Sequence, residues 1–269
     1  MKRLEAGTVM DGFLIGSCLH AGGMAHIYEV TYADERPSAF PMVMKVPRMT
    51  AGDGAENIIG FEVEHQILQV LQGKHVPRFV AAGDLSAIPY LVMEHVQGKT
   101  LQQVIDQYTE NHTCASFADI GKIGAAIARA AHNLHQQNAC HLDLKPANVM
   151  LDSQGHVFIM DFGLAGLATQ ISGAEIRNGT PAYMAPEQAR GKQVDKRADI
   201  WAFGVVLYEI LTGERLFKGE DITETLAAVV MKEPDFDKVP FEVRRLLKKC
   251  LQKDPKKRLR DIAGDVRGL

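Results

Sequence analysis

Four side chains suited to phosphoryl transfer lie close together in this chain. The run His141, Leu142, Asp143, Leu144, Lys145, Pro146, Ala147, Asn148 is followed, thirteen residues after the asparagine, by Asp161, Phe162, Gly163. Moving a phosphoryl group asks little covalent work of a protein. The site must instead orient metal ions, supply fixed positive charge and steer an attacking hydroxyl. Asp143, Lys145, Asn148 and Asp161 have the chemistry for these tasks. Between the two motifs, Val149–Leu151 and Val157–Met160 are short apolar runs separated by Asp152, Ser153, Gln154, Gly155, which read as a β-hairpin. Such a hairpin brings Asn148 and Asp161 together.

The elements that must position these groups are legible in the hydrophobic pattern. Residues 13–46 hold apolar and β-branched runs broken at Ala21, Gly22, Gly23 and at Asp34, Glu35, Arg36, Pro37, which predicts three antiparallel strands. A helix is expected from Ala55 to Leu71, where Ile58, Phe61, Ile67, Leu68 and Leu71 recur at helical spacing. Glu64 falls on the inward face of that helix and Glu62 away from it. An acid among apolar neighbours needs a partner. Lys45, flanked by Met42, Val43, Met44 and Val46, is the natural one, although a snorkelling edge lysine is the alternative. Tyr90–Met93 form another expected strand, and Glu94 to Gly98 a connector between two lobes. Beyond it the pattern is mainly helical. Phe117, Ile120, Ile123, Ile127, Ala130 and Leu134 trace one buried face, Asp199–Thr212 a second helix stopped by Gly213, and Leu246, Leu247 and Leu251 a late amphipathic segment.

The bulk properties narrow the function classes. A 269-residue chain, 46% hydrophobic, can bury a sizeable core. Its net charge of -3, with acids and bases mixed, offers no broad footprint for nucleic acid or anionic membrane. Cys18, Cys114, Cys140 and Cys250 are far apart, which favours packed reduced thiols and a cytoplasmic location over a zinc site or disulfide framework. The apolar run Ile200–Tyr208 is too short to span a bilayer, and Glu5 and Asp11 interrupt any secretion signal after Lys2 and Arg3. The chain reads as a whole protein or as the catalytic part of a longer one. His75, His112, His132, His135 and His156 read as surface or satisfied interior histidines, and Trp201 as a packing anchor.

His141, Asp143, Lys145, Asn148, then Asp161, Phe162, Gly163, then Ala185, Pro186, Glu187 resemble the ordered signature of protein kinases, closest in look to the eukaryotic-like (Hanks-type) serine/threonine kinases of bacteria. The similarity runs from about residue 12 to 263. It includes Lys45 with Glu64, the segment Gly179–Met184, and Asp199, Trp201 and Gly204. The resemblance implies an α+β, two-lobed kinase fold over residues 10–265. A small antiparallel β lobe with one helix would cover 10–93, a hinge 94–98, and a larger α-helical lobe 99–265, with ATP bound in the cleft between the lobes.

The resemblance further implies that Asp143 accepts the proton of the substrate hydroxyl and that Lys145 stabilises the transferring group. Asn148 and Asp161 would hold magnesium, or manganese in its place. Lys45, positioned by Glu64, would contact the α and β phosphates, Glu94 and Val96 would offer backbone groups to adenine, and Leu19, Ile27, Val43, Met93 and Met150 match the apolar adenine pocket. Lys145 followed by Pro146 and Asn148 is the serine/threonine form of the loop, so the implied partner is a protein with a serine or threonine acceptor, with autophosphorylation through a transient homodimer. Arg258 is the expected partner of Glu187 in an internal, structural ion pair.

Three departures from the family pattern stand out. The phosphate-covering loop has His20, Gly22 and Ala25 where three glycines are usual, with Gly23 as an extra, so a side chain at His20 restricts backbone approach while Gly22 and Gly23 keep phosphate binding available. Leu142 replaces the arginine that receives a phosphorylated activation loop, so activity is expected to depend less on phosphorylation at Thr169, Ser172 or Thr180, the last of which reads as a structural hydroxyl near Asp143 and Lys145. No sensor domain or membrane anchor occurs in these residues. Two other readings compete. Small-molecule phosphotransferases share the aspartate–asparagine–aspartate order but lack the Ala185, Pro186, Glu187 platform, and a pseudokinase scaffold is suggested by the irregular loop but not by the retained Lys45, Asp143, Asn148 and Asp161.

Overall fold

The computed structural model describes residues 4–48, 54–83, 89–111, 113, 115–167 and 180–265. Lys2, Arg3, His112, Cys114, Thr169, Ser172 and Gly179, named above from the sequence, lie outside the described residues. The chain divides into two compact units, Met1–Gln97 and Gly98–Leu269.

The first unit is built on an antiparallel sheet. Its strands are β1 (Val9–Met10), β2 (Phe13–Ala21), β3 (Ala25–Tyr32), β4 (Met42–Pro47), β5 (Phe79–Ala82) and β6 (Leu91–Glu94), in the order β1-β2-β3-β4-β6-β5, with helix α1 (Gly54–Val70) between β4 and β5 in the chain. Pairing sets Tyr28 against Met44, Met44 against Val92, Ile27 against Lys45, and Val43 against Met93. Because successive side chains leave a strand on opposite faces, this register sorts the sheet into two chemistries. Met42, Met44 and Val46 join Phe13, Ile15, Tyr28, Val30, Tyr90 and Val92 in one buried apolar cluster. Ile27, Val43, Lys45, Leu91 and Met93 share the other face. The three strands expected over residues 13–46 are β2, β3 and β4, while β1 and β5 are too short to stand out by period. The expected strand Tyr90–Met93 is shifted by one. Glu94 closes β6 because it pairs with Met42 and its carboxylate takes Nε and Nη2 of Arg78, each at 3.0 Å.

The second unit is mainly helical. Strand β7 (Gly98–Thr100) leads into α2 (Leu101–Glu110) through a capping box in which Thr100 Oγ1 accepts the Gln103 N–H at 3.1 Å and Gln103 Oε1 accepts the Thr100 N–H at 2.8 Å. Helix α3 (Phe117–Gln136) starts at the Ser116 cap and buries Ile120, Ile127, Ala130 and Leu134 as their spacing requires. Phe117 does not belong to that face. It occupies the first helical position, projects beyond the packed part of the helix and is 48% exposed. Strands β8 (Ala139–Cys140), β9 (Val149–Asp152), β10 (Val157–Ile159) and β11 (Gly166–Leu167) follow, then the short helix α4 (Pro186–Ala189).

Helix α5 (Arg197–Thr212) is buried from Ala198 to Glu209 on all sides, as its apolar run Ile200–Tyr208 demands, and ends at Gly213 in a left-handed cap whose N–H bonds Glu209 O at 2.8 Å. Helix α6 (Ile222–Met231) precedes α7 (Phe241–Cys250), which buries Val243, Leu246, Leu247 and Cys250 at helical spacing, and α8 (Ile262–Asp265) is the last described element. Gly204 permits a close approach of α5 and α7, since a Cβ there would fall 2.8 Å from that of Cys250. Among the described residues, no helix is long and apolar enough to cross a membrane.

Candidate active site

The hairpin read between the two motifs is β9 paired with β10, with Val149 opposite Ile159, Met150 opposite Phe158 and Leu151 opposite Val157. Its turn is closed by the Asp152 carboxylate, which accepts the N–H groups of Gln154 and His156, each at 2.8 Å. One further bond, from Met160 N–H to Asn148 O at 2.8 Å, carries the pairing to the threshold of Asp161. Asp161 follows with a left-handed φ of 62° and an exposed side chain. His141 fastens the same point from the other motif. Its buried ring donates from Nε2 to Met160 O at 3.0 Å, accepts the Asp143 N–H on Nδ1 at 3.3 Å, and lies edge-on to Phe162. This pattern requires a neutral imidazole protonated on Nε2.

Asp143 sits at the centre of a dense set of donors. Lys145 Nζ reaches its Oδ2 at 2.7 Å, Asn148 Nδ2 the same oxygen at 3.2 Å, and the Thr180 N–H its Oδ1 at 3.1 Å. Lys145 Nζ also donates to Thr180 Oγ1 at 2.7 Å, so the hydroxyl of Thr180 is a structural partner of the lysine, as expected. Asn148 Nδ2 donates to Asp143 O at 2.9 Å as well, which commits the amide nitrogen and leaves Oδ1 as the acceptor end of that side chain.

The backbone under this cluster is held by Asp199 of α5. Its Oδ2 accepts the His141 N–H at 2.9 Å and its Oδ1 the Leu142 N–H at 2.8 Å, while His135 Nε2 approaches Oδ2 at 2.9 Å. Burial pushes the Asp199 carboxyl up, but the bond and charge of His135, with the Leu142 amide, outweigh it and hold the group below the usual carboxylate range. Leu142 has a φ of 64°, uncommon for a branched side chain, and is pinned from the other side by Gln188 Nε2, which donates to its carbonyl at 3.0 Å. Gln188 was not picked out from the sequence. A polar residue directly after Ala185, Pro186, Glu187 was the available signal, and its Oε1 also accepts the Ala185 N–H at 2.9 Å. His135 is a satisfied interior histidine, in agreement with its reading.

In the first unit, Lys45 Nζ and Glu64 Oε2 are 2.5 Å apart, with Glu64 only 3% exposed. The buried pair replaces the snorkelling alternative. Glu62 is half-buried. Val43, Met93 and Val96 are buried, Ile27 half-buried, Leu19 exposed, and Glu94 ends β6. Met150 belongs to the second unit, on β9 opposite Thr100 and Phe158. Gly22 and Gly23 form the turn joining β2 to β3, closed by Gly22 N–H to Ala25 O at 3.0 Å. Arg48, missed in the sequence because it follows the strand, donates from Nη1 to Gly22 O at 3.1 Å.

The Glu187–Arg258 pair forms as expected, in two-pronged geometry at 2.7 and 3.0 Å, with the guanidinium also donating to the carbonyls of Arg197 and Gln252. The sequence pattern of the protein kinase domain matches residues 16–263. The chain belongs to the protein kinase family. The kinase domain is 31% identical over 256 residues to the serine/threonine-protein kinase PrkC of Bacillus subtilis, covering 91% of this chain and 38% of the relative. It is 30% identical over 265 residues to PknB of Mycobacterium leprae, covering 94% of this chain and 42% of that protein. A plant relative, AtPK2/AtPK19 of Arabidopsis thaliana, is 30% identical over 253 residues, covering 93% of this chain and 52% of its own length. The chain thus spans about half or less of the length of these relatives. The small antiparallel sheet with its single described helix, followed by the helical unit, is the two-part kinase architecture.

Proposed function

We propose that this domain transfers the γ-phosphoryl group of ATP to serine and threonine hydroxyls of protein substrates. The observation that carries the reading is the Asp143 carboxylate, held by Lys145, Asn148 and the Thr180 amide. A carboxylate fixed in this way orients an acceptor hydroxyl and takes its proton as the new O–P bond forms and the bond to the ADP oxygen breaks. Lys145, shared between Asp143 and Thr180, offsets the charge gathering on the transferred group. Lys45, braced by Glu64, offers a fixed ammonium to the nucleotide phosphates.

The donor chemistry fits a magnesium ion: Asp161 supplies an exposed carboxylate, and Asn148 an amide oxygen whose nitrogen is already committed to Asp143. Bound there, the ion would neutralise phosphate charge, and manganese accepts the same hard oxygens. Among the described residues, no group of three or more His, Cys, Asp or Glu side chains is arranged to hold a metal. The ion would share its remaining positions with phosphate and water.

Serine or threonine is favoured as the acceptor by the Lys145, Pro146, Asn148 form of the loop and by the printed names of the relatives. We further propose autophosphorylation through a transient homodimer, and activity that depends less on a phosphorylated activation loop because Leu142 offers no cation to receive it. The free thiols of Cys18 and Cys140 support a cytoplasmic location. Purified protein given magnesium and labelled ATP should label itself or a basic protein substrate on serine or threonine, and Asp143→Asn should lose at least a thousandfold in rate while binding ATP within a few-fold of wild type. ATP binding without any transfer by the wild type would favour the scaffold reading instead.

A further inference from the structure

The turn that departs most from the family pattern sits in a row with the lysine assigned to the phosphates. His20 is paired with Ile27 across β2 and β3, and Ile27 with Lys45 across β3 and β4. Directly opposed residues share a face. His20, Ile27 and Lys45 therefore form one cross-strand row on the face that carries Val43 and Met93, opposite the packed apolar cluster. With strands about 4.8 Å apart, the two outer members of the row are separated by roughly 10 Å, a span that a chain of two or three phosphates can bridge.

The His20 side chain is exposed, and its ring folds over the turn: a Cβ built on Gly22 would meet Nε2 at 2.9 Å and Cδ2 at 3.2 Å. Only glycine at position 22 leaves room for that placement. The Gly22 amide is spent inside the turn on Ala25 O at 3.0 Å, its carbonyl is taken by Arg48 Nη1 at 3.1 Å, and the Arg48 N–H bonds Met24 O at 2.7 Å. The turn is thus tied to the end of β4 by its own polar groups. What it adds on the ligand face is an imidazole, with a guanidinium bound to the main chain beneath.

We propose that His20 is a phosphate ligand of the nucleotide, donating a ring N–H to the phosphate chain from the end of the row opposite Lys45. The side chain that replaces a glycine supplies a contact in place of the backbone approach it obstructs. This inference rests on the reading of Lys45 as a phosphate-binding residue. It is tested by calorimetric binding of ATP, ADP and adenosine, with magnesium, to the full chain and to His20→Ala, His20→Gly and His20→Gln. The alanine and glycine variants should bind ATP and ADP roughly tenfold more weakly, with adenosine unchanged within twofold, and glutamine, which keeps an N–H donor, should recover part of the loss. An equal loss for adenosine would make His20 a structural support of the turn. Unchanged or tighter ATP binding by His20→Gly would make it an obstruction, and either result overturns the proposal. A wild-type protein that binds no ATP removes the kinase reading as well, whereas ATP binding by the wild type that His20 variants leave untouched removes this inference alone.

Discussion

Replacing Arg258 by methionine strands a carboxylate. Glu187 would keep its buried position without the two-pronged partner at 2.7 and 3.0 Å, and the carbonyls of Arg197 and Gln252 would each lose a donor. The Arg258 side chain is 0% exposed and that of Glu187 7%, so water cannot take over. Removing one partner of such a pair costs about 3–5 kcal/mol, against at most about 1 kcal/mol for an exposed pair. For a unit of this size that corresponds to a fall in melting temperature of roughly 6–20 °C. The chain has one tryptophan, Trp201, which is fully buried, stacks on Phe217 at 5.6 Å and lies 5.2 Å from the Arg258 guanidinium. Its fluorescence during urea unfolding therefore reads this region directly. The double variant Glu187→Leu, Arg258→Met, which removes both charges, should recover much of the loss, because the cost lies in the unpaired charge and not in the absence of the pair. A single variant that loses less than about 1 kcal/mol, or a double variant no more stable than the single, would refute the reasoning. Since Gln188, next to Glu187, holds the Leu142 carbonyl, the single variant should also lower turnover more than it weakens ATP binding.

Two other outcomes follow from the same physics. Changing Thr169 and Ser172 together to alanine should leave most phosphorylation of an outside substrate intact, because Leu142 provides no charge for a phosphorylated loop; a loss of about a hundredfold or more would contradict this. Burial pulls the Lys253 ammonium down to about 8 from the ordinary 10.5, with Glu233 opposing and Arg190 and Arg258 adding to the fall, even though its Nζ donates to Val229 O and lies over the Trp201 and Phe217 rings. Between those two values the unfolded chain holds more protons than the native one, so this group adds stability as pH rises; wild type should gain on Lys253→Met between about pH 8 and 10, and a gap that is flat or narrowing in urea titrations would exclude the effect.

Residues whose roles depend on neighbours a few positions away were legible without coordinates. The apolar run Met42 to Val46 announced a strand, the spacing of Phe61, Glu64 and Leu68 put an acid on an apolar face, and the four residues Asp152 to Gly155 announced the turn of the β9–β10 hairpin. An acid on an apolar face needs a cation, and that cost alone pointed from Glu64 to Lys45. The Arg258 partnership, by contrast, was available only through the resemblance, since 71 residues separate it from Glu187 and no local pattern links them.

Tertiary structure decided the contacts that no period encodes. Asp199 bonds the amides of His141 and Leu142, 58 and 57 residues away, and Gln188 bonds the Leu142 carbonyl, 46 residues away. Phe117 has the spacing of a core residue yet lies in solvent, because a helical face is buried only as far along as something packs against it. His20 looked like an obstacle in one dimension. Its alignment with Ile27 and Lys45 exists only once three strands are in register, because the strand period tells which residues share a face but not which residue of the next strand lies opposite. The sequence by itself determined the chemical groups and the elements that carry them. Long-range pairing decided how those groups are held, because buried polar groups take whichever partners the packed chain brings within reach.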